Sequence, residues 1–319
     1  MAEGDGAGAR EMFARAELHG VAGVLWDAWK ERGVSLAADL ATRLDTLALA
    51  REMDHAAHLA MLREIDGVLN VPAIALKGPL FASRYYPRPS ARGTSDIDLL
   101  VAEGDMDRAV GSLAAARYHL HDSAKQVAWS RREHHHLHLV RDRAPDLELH
   151  FHAYRGFGVT LRTEMLAERS IAVEGFQRVR VASPEDEIVY LAVHAASHRF
   201  GRLAWLYDIR LIVERMSPAA LEGAASRARE WGVARALAFA GELLVEVLGV
   251  SSDVARPLGA LAGGRKAVIH AIVAEPRTRA LRIATRFAYT TMLADSTAAS
   301  LRYAKAYSLD RARKLLGLD

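Results

Sequence analysis

Two aspartates lie two residues apart in the otherwise apolar segment SDIDLLV, residues 95–101. A β-strand places residues i and i+2 on one face, roughly 6.6 Å apart along the backbone. Asp96 and Asp98 are therefore predicted to share a face, while Ile97 points into the core. Two unit charges about 6 Å apart repel by roughly 2.8 kcal/mol at an effective dielectric of about 20. We expect a cation between them, and carboxylate oxygens suit Mg²⁺ or Mn²⁺.

A turn upstream of this strand could hold phosphate. Residues 73–76 are apolar and predict a short strand, Lys77-Gly78 predicts a turn, and Pro79 opens a helix at the position where proline is tolerated. Backbone N–H groups at such a turn and helix start attract phosphate. Gly78 would allow close approach of the backbone, and Lys77 could add a positive charge.

A third carboxylate is expected from a later hairpin. The alternating runs HHHLHLV and LELHFHA are joined by RDRAPD, which has turn chemistry. Glu148 and Asp146 share one face of the second strand. A sheet that brings Glu148 beside the aspartates would supply three carboxylates for two metal ions, which can clamp the attacking and leaving oxygens of a displacement at phosphorus. Nucleotidyl transfer requires such a site.

The histidines allow a different kind of metal site. Histidines occupy alternate positions on the two hairpin strands: His134, His136, His138, His150 and His152. Imidazoles suit zinc, although no cysteine supports such a cluster. His194 and His198 lie at i and i+4 on one helical face, without an HExxH pattern. We expect His150, His152, His194 and His198 to line the site or to form structural hydrogen bonds.

Helical patterns flank the central region. Apolar residues recur at helical spacing over residues 11–69, and residues 1–10 are predicted to be disordered. Ser183-Pro184 predicts a helix start, after which the chain is almost entirely helical. We therefore predict an N-terminal helical segment over 1–70, a core over 71–155 and a mainly helical domain over 156–319.

Composition narrows the class of protein. The 319-residue chain has no cysteine, which excludes disulfides and thiolate metal sites. Lys and Arg number 42 against 39 Asp and Glu, a balance that does not indicate nucleic-acid binding. The first residues lack the features of a signal peptide. The most apolar later stretch carries Arg235, Glu242 and Glu246, which argues against a membrane span. We expect a cytoplasmic protein.

These motifs resemble the nucleotidyltransferase superfamily of DNA polymerase β, whose signature is a Gly-Ser or Gly-Gly turn, then Asp-x-Asp, then a third acid on a later strand. They are more similar still to a bacterial family of uncharacterised nucleotidyltransferases. That family has LKG at the turn, an arginine before a DIDLLV strand, a strand like ELHFH, and a helix resembling SPEDEIVYLAVHAASHRFGRLAWLYDIRLI. The resemblance covers about residues 20–215.

The resemblance implies an α+β fold. Its polymerase β-like core is a small mixed sheet with flanking helices, joined to N-terminal helices and a largely helical C-terminal half. Metal ligands and catalytic residues implied by the match are Asp96, Asp98 and Glu148. Nucleotide-binding residues are Lys77, Gly78, Arg92 and Ser95. Pro79 departs from the superfamily pattern, since proline lacks the N–H that a second small residue would offer to phosphate. Lys77 or Arg92 must compensate.

The implied reaction transfers a nucleoside monophosphate from an NTP to a hydroxyl-bearing acceptor and releases pyrophosphate, with Mg²⁺ or Mn²⁺ as cofactor. The acceptor could be a small molecule, a protein side chain or an RNA end, and no membrane partner is expected. Two alternatives stay open. One is a non-catalytic nucleotide-binding sensor or partner-binding protein on the same fold. The other is a zinc hydrolase built on the histidines.

Overall fold

The structure is a computed structural model that describes residues 6–273 and 279–316. The chain divides into two units. The first unit comprises Met1–His152, Thr163–Ser183 and Arg202–Ala204, and the second comprises Ala153–Arg162, Pro184–Gly201 and Trp205–Asp319. Across the described ranges, no helix combines the length and apolar character needed to cross a membrane.

Three helices form the N-terminal part of the first unit: α1 (Gly6–Leu18), α2 (Ala22–Glu31) and α3 (Ala38–Val68). The helical pattern predicted for residues 11–69 is thus confirmed. Residues 1–5 lie outside the described residues, but the predicted disorder is wrong for residues 6–10, which begin α1. Phe13 is buried with Trp26 and Leu44, so packing of α1 overrides the small, polar composition of its start.

Nine strands are described in the chain: β1 (Ala73–Ala75), β2 (Asp96–Leu100), β3 (His119–Leu120), β4 (His136–Val140), β5 (Asp146–His150), β6 (His152–Gly156), β7 (Val159–Arg162), β8 (Ile171–Ala172) and β9 (Val179–Val181). Seven form a mixed sheet in the order β3-β4-β5-β2-β1-β9-β8, and β6 pairs with β7. The predicted hairpin is confirmed, because β4 and β5 pair antiparallel. With the helices on either side in sequence, this mixed sheet confirms the α+β class.

The register of the central strands decides which side chains meet. Strand β2 pairs antiparallel with β1 and parallel with β5. Asp98 lies opposite Glu148 across the parallel pair. On the other side of β5, His136 of β4 lies opposite His150. Since side chains on paired positions point to the same face, all four project from one side of the sheet.

The opposite face of these strands is a hydrophobic core. Ile97, Leu99, Leu147 and Leu149 are fully buried in one cluster, which also contains Leu62 of α3. Strand residues alternate between the two faces, so burying these apolar residues forces the intervening acids and histidines of β2 and β5 onto the other side. The core thereby positions the polar face.

Four helices connect the strands of the first unit: α4 (Pro79–Tyr85), α5 (Met106–Leu113), α6 (Ala124–Glu133) and α7 (Thr163–Ala167). The predicted helix after Pro79 is confirmed. Helix α6 was not predicted, although its start carries a recognisable signal. Ser123 accepts from the Gln126 backbone N–H, and the Gln126 side chain accepts from the Ser123 N–H at 3.0 Å. This is the reciprocal capping box.

The remaining helices confirm the predicted helical C-terminal half: α8 (Pro184–Ser197), α9 (Leu203–Val213), α10 (Pro218–Glu230), α11 (Ala234–Leu248), α12 (Ser252–Ala255), α13 (Gly263–Val273), α14 (Arg279–Leu293) and α15 (Thr297–Leu316). The β6–β7 hairpin was missed, since the residues from 156 onward were predicted to form a mainly helical domain. Phe157 and Gly158 both have positive φ, 49° and 73°, as a tight hairpin turn requires.

Candidate functional site

Three carboxylates converge on the polar face of the sheet. One oxygen each of Asp96, Asp98 and Glu148 lies within 4.8 Å of the others. The parallel register of β2 and β5 produces this convergence by setting Asp98 opposite Glu148. Asp146, the other acid on that face of β5, is exposed and pairs with His138, whose Nε2 lies 3.1 Å from Asp146 Oδ2. The sheet therefore groups Glu148, rather than Asp146, with the two aspartates.

The positive charge expected between the aspartates is present as a lysine. Lys77 Nζ lies 2.9 Å from Asp98 Oδ2 and 3.2 Å from Asp96 Oδ2. The end of β1 sets this position, because the Leu76 N–H donates to the Asp98 carbonyl at 3.2 Å. Burial opposes the charged form of Lys77, but the attraction of Asp98 and then Asp96 outweighs it and raises the lysine pKa.

His150 links the two strands that carry the acids. Its Nε2 donates to Asp98 Oδ1 at 3.2 Å and lies 3.4 Å from Glu148 Oε2. Burial disfavours the charge of His150, but these two carboxylates raise its pKa. Burial likewise opposes ionisation of Asp98, yet Lys77 and His150 hold that pKa well below its ordinary value. The hydrogen bond from His150 also lowers the pKa of Glu148. Asp98 and Glu148 are therefore ionised at neutral pH.

A second group of possible ligands adjoins the first. Ligand atoms of His136, Glu148 and His150 lie within 4.8 Å of one another. The His136 and His150 rings pack with their centroids 5.0 Å apart. Burial, followed by the charge of His150, lowers the pKa of His136 to about 4. His136 is therefore a neutral imidazole at pH 7, the form that can ligate a metal.

The predicted phosphate turn lies beside the carboxylates. Gly78 has φ +81°, and a Cβ there would meet Asp96 O and Thr94 Cγ2 only at 3.7 Å. The backbone angle, rather than lack of space, therefore requires glycine. Ser95 Oγ donates to Asp96 Oδ1 at 3.2 Å. The Arg92 guanidinium lies 5.4 Å from the centroid of the Phe81 ring, so it packs on α4.

The donor chemistry of this cluster fits a divalent metal ion. The Lys77 ammonium lies between Asp96 and the buried Asp98, and one oxygen of Glu148 lies within 4.8 Å of an oxygen of each aspartate. Hard oxygen donors in such a group are the ligands that Mg²⁺ and Mn²⁺ prefer. The cluster thus has the donors needed to bind the cation that the spacing of Asp96 and Asp98 predicts.

Comparison with known proteins shows the family to which this chain belongs. A family model described as "Uncharacterised nucleotidyltransferase" matches residues 5–249, which include every strand of the sheet. The chain belongs to this nucleotidyltransferase family. The resemblance stated from the sequence is confirmed, and so is the predicted enzyme class. Membership supports the transfer of a nucleoside monophosphate from an NTP to an acceptor, and nucleotidyltransferases generally use a divalent metal.

One solved structure is similar to part of this nucleotidyltransferase. It is the solution structure of the antibiotic-resistance factor ANT(2'')-Ia, with a TM-score of 0.40 and 12% sequence identity. The match covers 55% of this chain and 92% of that chain. No curated protein matches the sequence at a significant level.

Three further histidines predicted to line the site, His152, His194 and His198, make contacts of their own in this nucleotidyltransferase. His152 Nε2 lies 3.8 Å from Glu103 Oε2. His194 and His198 belong to the second unit, where their rings lie 4.9 Å apart and both pack against Trp205. Sequence reasoning did not single out His136 as a partner of Glu148, because only the cross-strand register reveals that proximity.

Proposed function

We propose that this chain is an Mg²⁺-dependent enzyme that transfers a nucleoside monophosphate from an NTP to an acceptor hydroxyl. The observation that carries the proposal is the convergence of Asp96, Asp98 and Glu148 on one face of the sheet. These three residues would hold the metal. When bound, Mg²⁺ would neutralise triphosphate charge and polarise the α-phosphoryl group.

Lys77 offsets part of the negative charge of the two aspartates in the absence of nucleotide. Without a cation between them, Asp96 and the buried Asp98 would repel each other in a poorly solvated position. A cation bound by the same oxygens would displace the ammonium, which would then be available to the triphosphate. Lys77 would therefore have two roles. Without metal it is the cation expected between the aspartates, and with metal bound it would make the phosphate contact predicted from the turn.

The remaining nucleotide contacts would come from the segment between β1 and β2, on either side of helix α4. Gly78 would let the triphosphate approach the backbone closely, since no side chain stands in the way. Arg92 and Ser95 would add a guanidinium and a hydroxyl. Because Pro79 offers no N–H, charged groups such as Lys77 and Arg92 carry a larger share of triphosphate binding than backbone donors do.

Glu148 would orient the acceptor hydroxyl and receive its proton. The acceptor oxygen then forms a bond to the α-phosphorus, the bond from that phosphorus to the bridging oxygen breaks, and pyrophosphate leaves with the bonding electrons. The low pKa of Glu148 makes it a weak base, so its main contribution would be to orient the hydroxyl. Small hydroxylated molecules, protein side chains and RNA ends are the acceptor classes to screen.

The decisive experiment compares Asp96→Asn/Asp98→Asn with the wild type in Mg²⁺-dependent NTP consumption, with products identified by mass spectrometry. We expect the double variant to lose turnover and to keep its circular dichroism spectrum. Asp146→Asn is the matched control, because it removes an exposed acid from the same face and should retain activity. Undiminished turnover in the double variant would refute the proposal. Tight binding of Mg-ATP or Mg-CTP by the wild type without any product would favour the sensor.

A further inference from the structure

We propose that His136, Glu148 and His150 form a second metal site, selective for an imidazole-preferring ion such as Zn²⁺. This site lies beside the carboxylate group and shares Glu148 with it. Two imidazoles and one carboxylate, with a fourth position left for water, are a ligand set that zinc uses in proteins. The metal binding itself does not depend on the proposed function.

The geometry of the hairpin supports the site. His136 and His150 are paired across β4 and β5, and Glu148 precedes His150 by two residues on the same face. His150 Nε2 lies 3.4 Å from Glu148 Oε2. Neighbouring ligand atoms in a tetrahedral zinc site are roughly 3.3 Å apart, given bonds of about 2.0–2.1 Å. Two of the three donors therefore already have the spacing that a zinc ion requires, and zinc would replace the proton that His150 Nε2 donates to Asp98.

The third donor is available to complete the group. His136 Nδ1 is buried and has no hydrogen-bond partner in the part of the chain that the structure describes. A buried imidazole nitrogen without a partner is unfavourable unless something binds it. The His136 side chain is only partly buried, so it can rotate towards Glu148 without disturbing the leucine core on the opposite face.

The shared glutamate has a functional consequence, which rests on the proposed function. A zinc ion bound through Glu148 would withdraw that carboxylate from Asp96 and Asp98. Zinc should therefore inhibit Mg²⁺-dependent transfer, and Mg²⁺ should not fully reverse this effect, because imidazole ligands favour zinc over magnesium.

A second histidine group competes as the location of bound zinc. Ligand atoms of His134, His135 and His136 also lie within 4.8 Å of one another. These are consecutive residues that lead from α6 into β4, and all three are partly exposed. The group offers no carboxylate. Its occupation by zinc would count against the proposed site, so the experiment must distinguish the two.

The test measures binding of Zn²⁺ alone to the chelator-treated full chain by calorimetry, and records the visible spectrum of the Co²⁺ form. We expect one ion per chain and a tetrahedral Co²⁺ spectrum. His136→Gln should weaken Zn²⁺ binding by more than about tenfold, since removing even a hydrogen-bond partner of a metal ligand costs about that much. His138→Gln is the matched control, because His138 lies on the same strand face but pairs with Asp146, and it should bind as the wild type does.

Three further variants locate the bound ion. Glu148→Gln should weaken binding as His136→Gln does, which protects the test if one variant folds poorly. Asp96→Asn/Asp98→Asn should retain Zn²⁺ binding while losing transfer, so failure of one proposal is distinguishable from failure of the other. The proposal is overturned if no Zn²⁺ binds, if His136→Gln binds as tightly as the wild type, or if binding is lost in His134→Gln/His135→Gln or in the aspartate double variant.

Discussion

The Lys77 ammonium lies 2.9 Å from Asp98 Oδ2, in a position where Asp98 is almost completely buried. An ammonium and a divalent cation need the same carboxylate oxygens, so their binding here is mutually exclusive. The ion pair belongs to the chain without metal, and it stabilises that state. A metal ion that binds this site must therefore displace the Lys77 ammonium from the Asp98 carboxylate.

Replacing Lys77 with methionine should destabilise the metal-free protein by roughly 3 to 5 kcal/mol, because the buried Asp98 carboxylate loses its ammonium partner. Added Mg²⁺ should restore part of this loss in Lys77→Met but add less stability to the wild type, where it must displace the ammonium. Urea denaturation with and without Mg²⁺ measures both effects. Lys77→Met/Asp98→Asn is the control, since removing both charges should be milder than removing the lysine alone. Equal Mg²⁺ stabilisation of Lys77→Met and the wild type would contradict competition.

Replacing Glu148 with glutamine should reduce transfer by about 100-fold, the size of effect expected when a group that positions and accepts a proton is lost. NTP binding, which also uses the loop before β2, should weaken less than turnover does. Steady-state kinetics paired with calorimetry separate the two effects. A fall in NTP affinity with unchanged kcat would show that Glu148 serves binding alone.

Gly78→Ala should destabilise the protein by about 1–3 kcal/mol, because a positive φ of this kind strains any residue with a Cβ. Gly67, inside helix α3, provides the comparison. A Cβ at that position meets nothing within 4 Å, and alanine favours helices, so Gly67→Ala should leave stability unchanged or raise it. Chemical denaturation of both variants tests the point. Similar stabilities for the two would mean that the turn at Gly78 relaxes freely.

Asp66 connects helix α3 to the start of strand β9 through hydrogen bonds. Its buried carboxylate accepts the backbone N–H groups of Gln177, Arg178 and Val179 at 2.8, 2.7 and 2.7 Å. Asp66→Ala leaves these donors unsatisfied and should reduce the free energy of unfolding by roughly 3 kcal/mol. Denaturation midpoints measure the loss, with the exposed Asp107→Ala as control. A change below about 0.5 kcal/mol, typical of surface sites, would mean that water replaces the carboxylate.

Local pattern predicted much of the site. The alternation in SDIDLLV and in the β4–β5 segments indicated the strands, and the turn chemistry between β4 and β5 indicated their hairpin. The roles assigned to Lys77, Arg92 and Ser95 remain predictions, as do the domain boundaries near residues 70 and 155. The arrangement of Glu148 with the aspartates was only one of the possibilities that the strand pattern allowed.

Other features depend on contacts that a pattern does not contain. The approach of Lys77 to Asp98 and of His136 to Glu148 follows from strand pairing between distant segments. The β6–β7 hairpin was missed because its turn places Phe157 at a positive φ. A phenylalanine in the sequence does not predict that backbone conformation. Helix α6 was missed for a different reason, since the Ser123–Gln126 capping signal was available in the sequence.

The buried leucines of β5 alternate with its two acids and its histidine. A shift of one residue in strand register exchanges the two faces of a strand, so a slipped β5 would send Glu148 into the leucine core and present Leu147 or Leu149 to the aspartates. Fitting those leucines into the core therefore also fixes the spacing of the acids behind them. Substitutions of Leu147 or Leu149 should therefore be tested for loss of activity even where the protein remains folded.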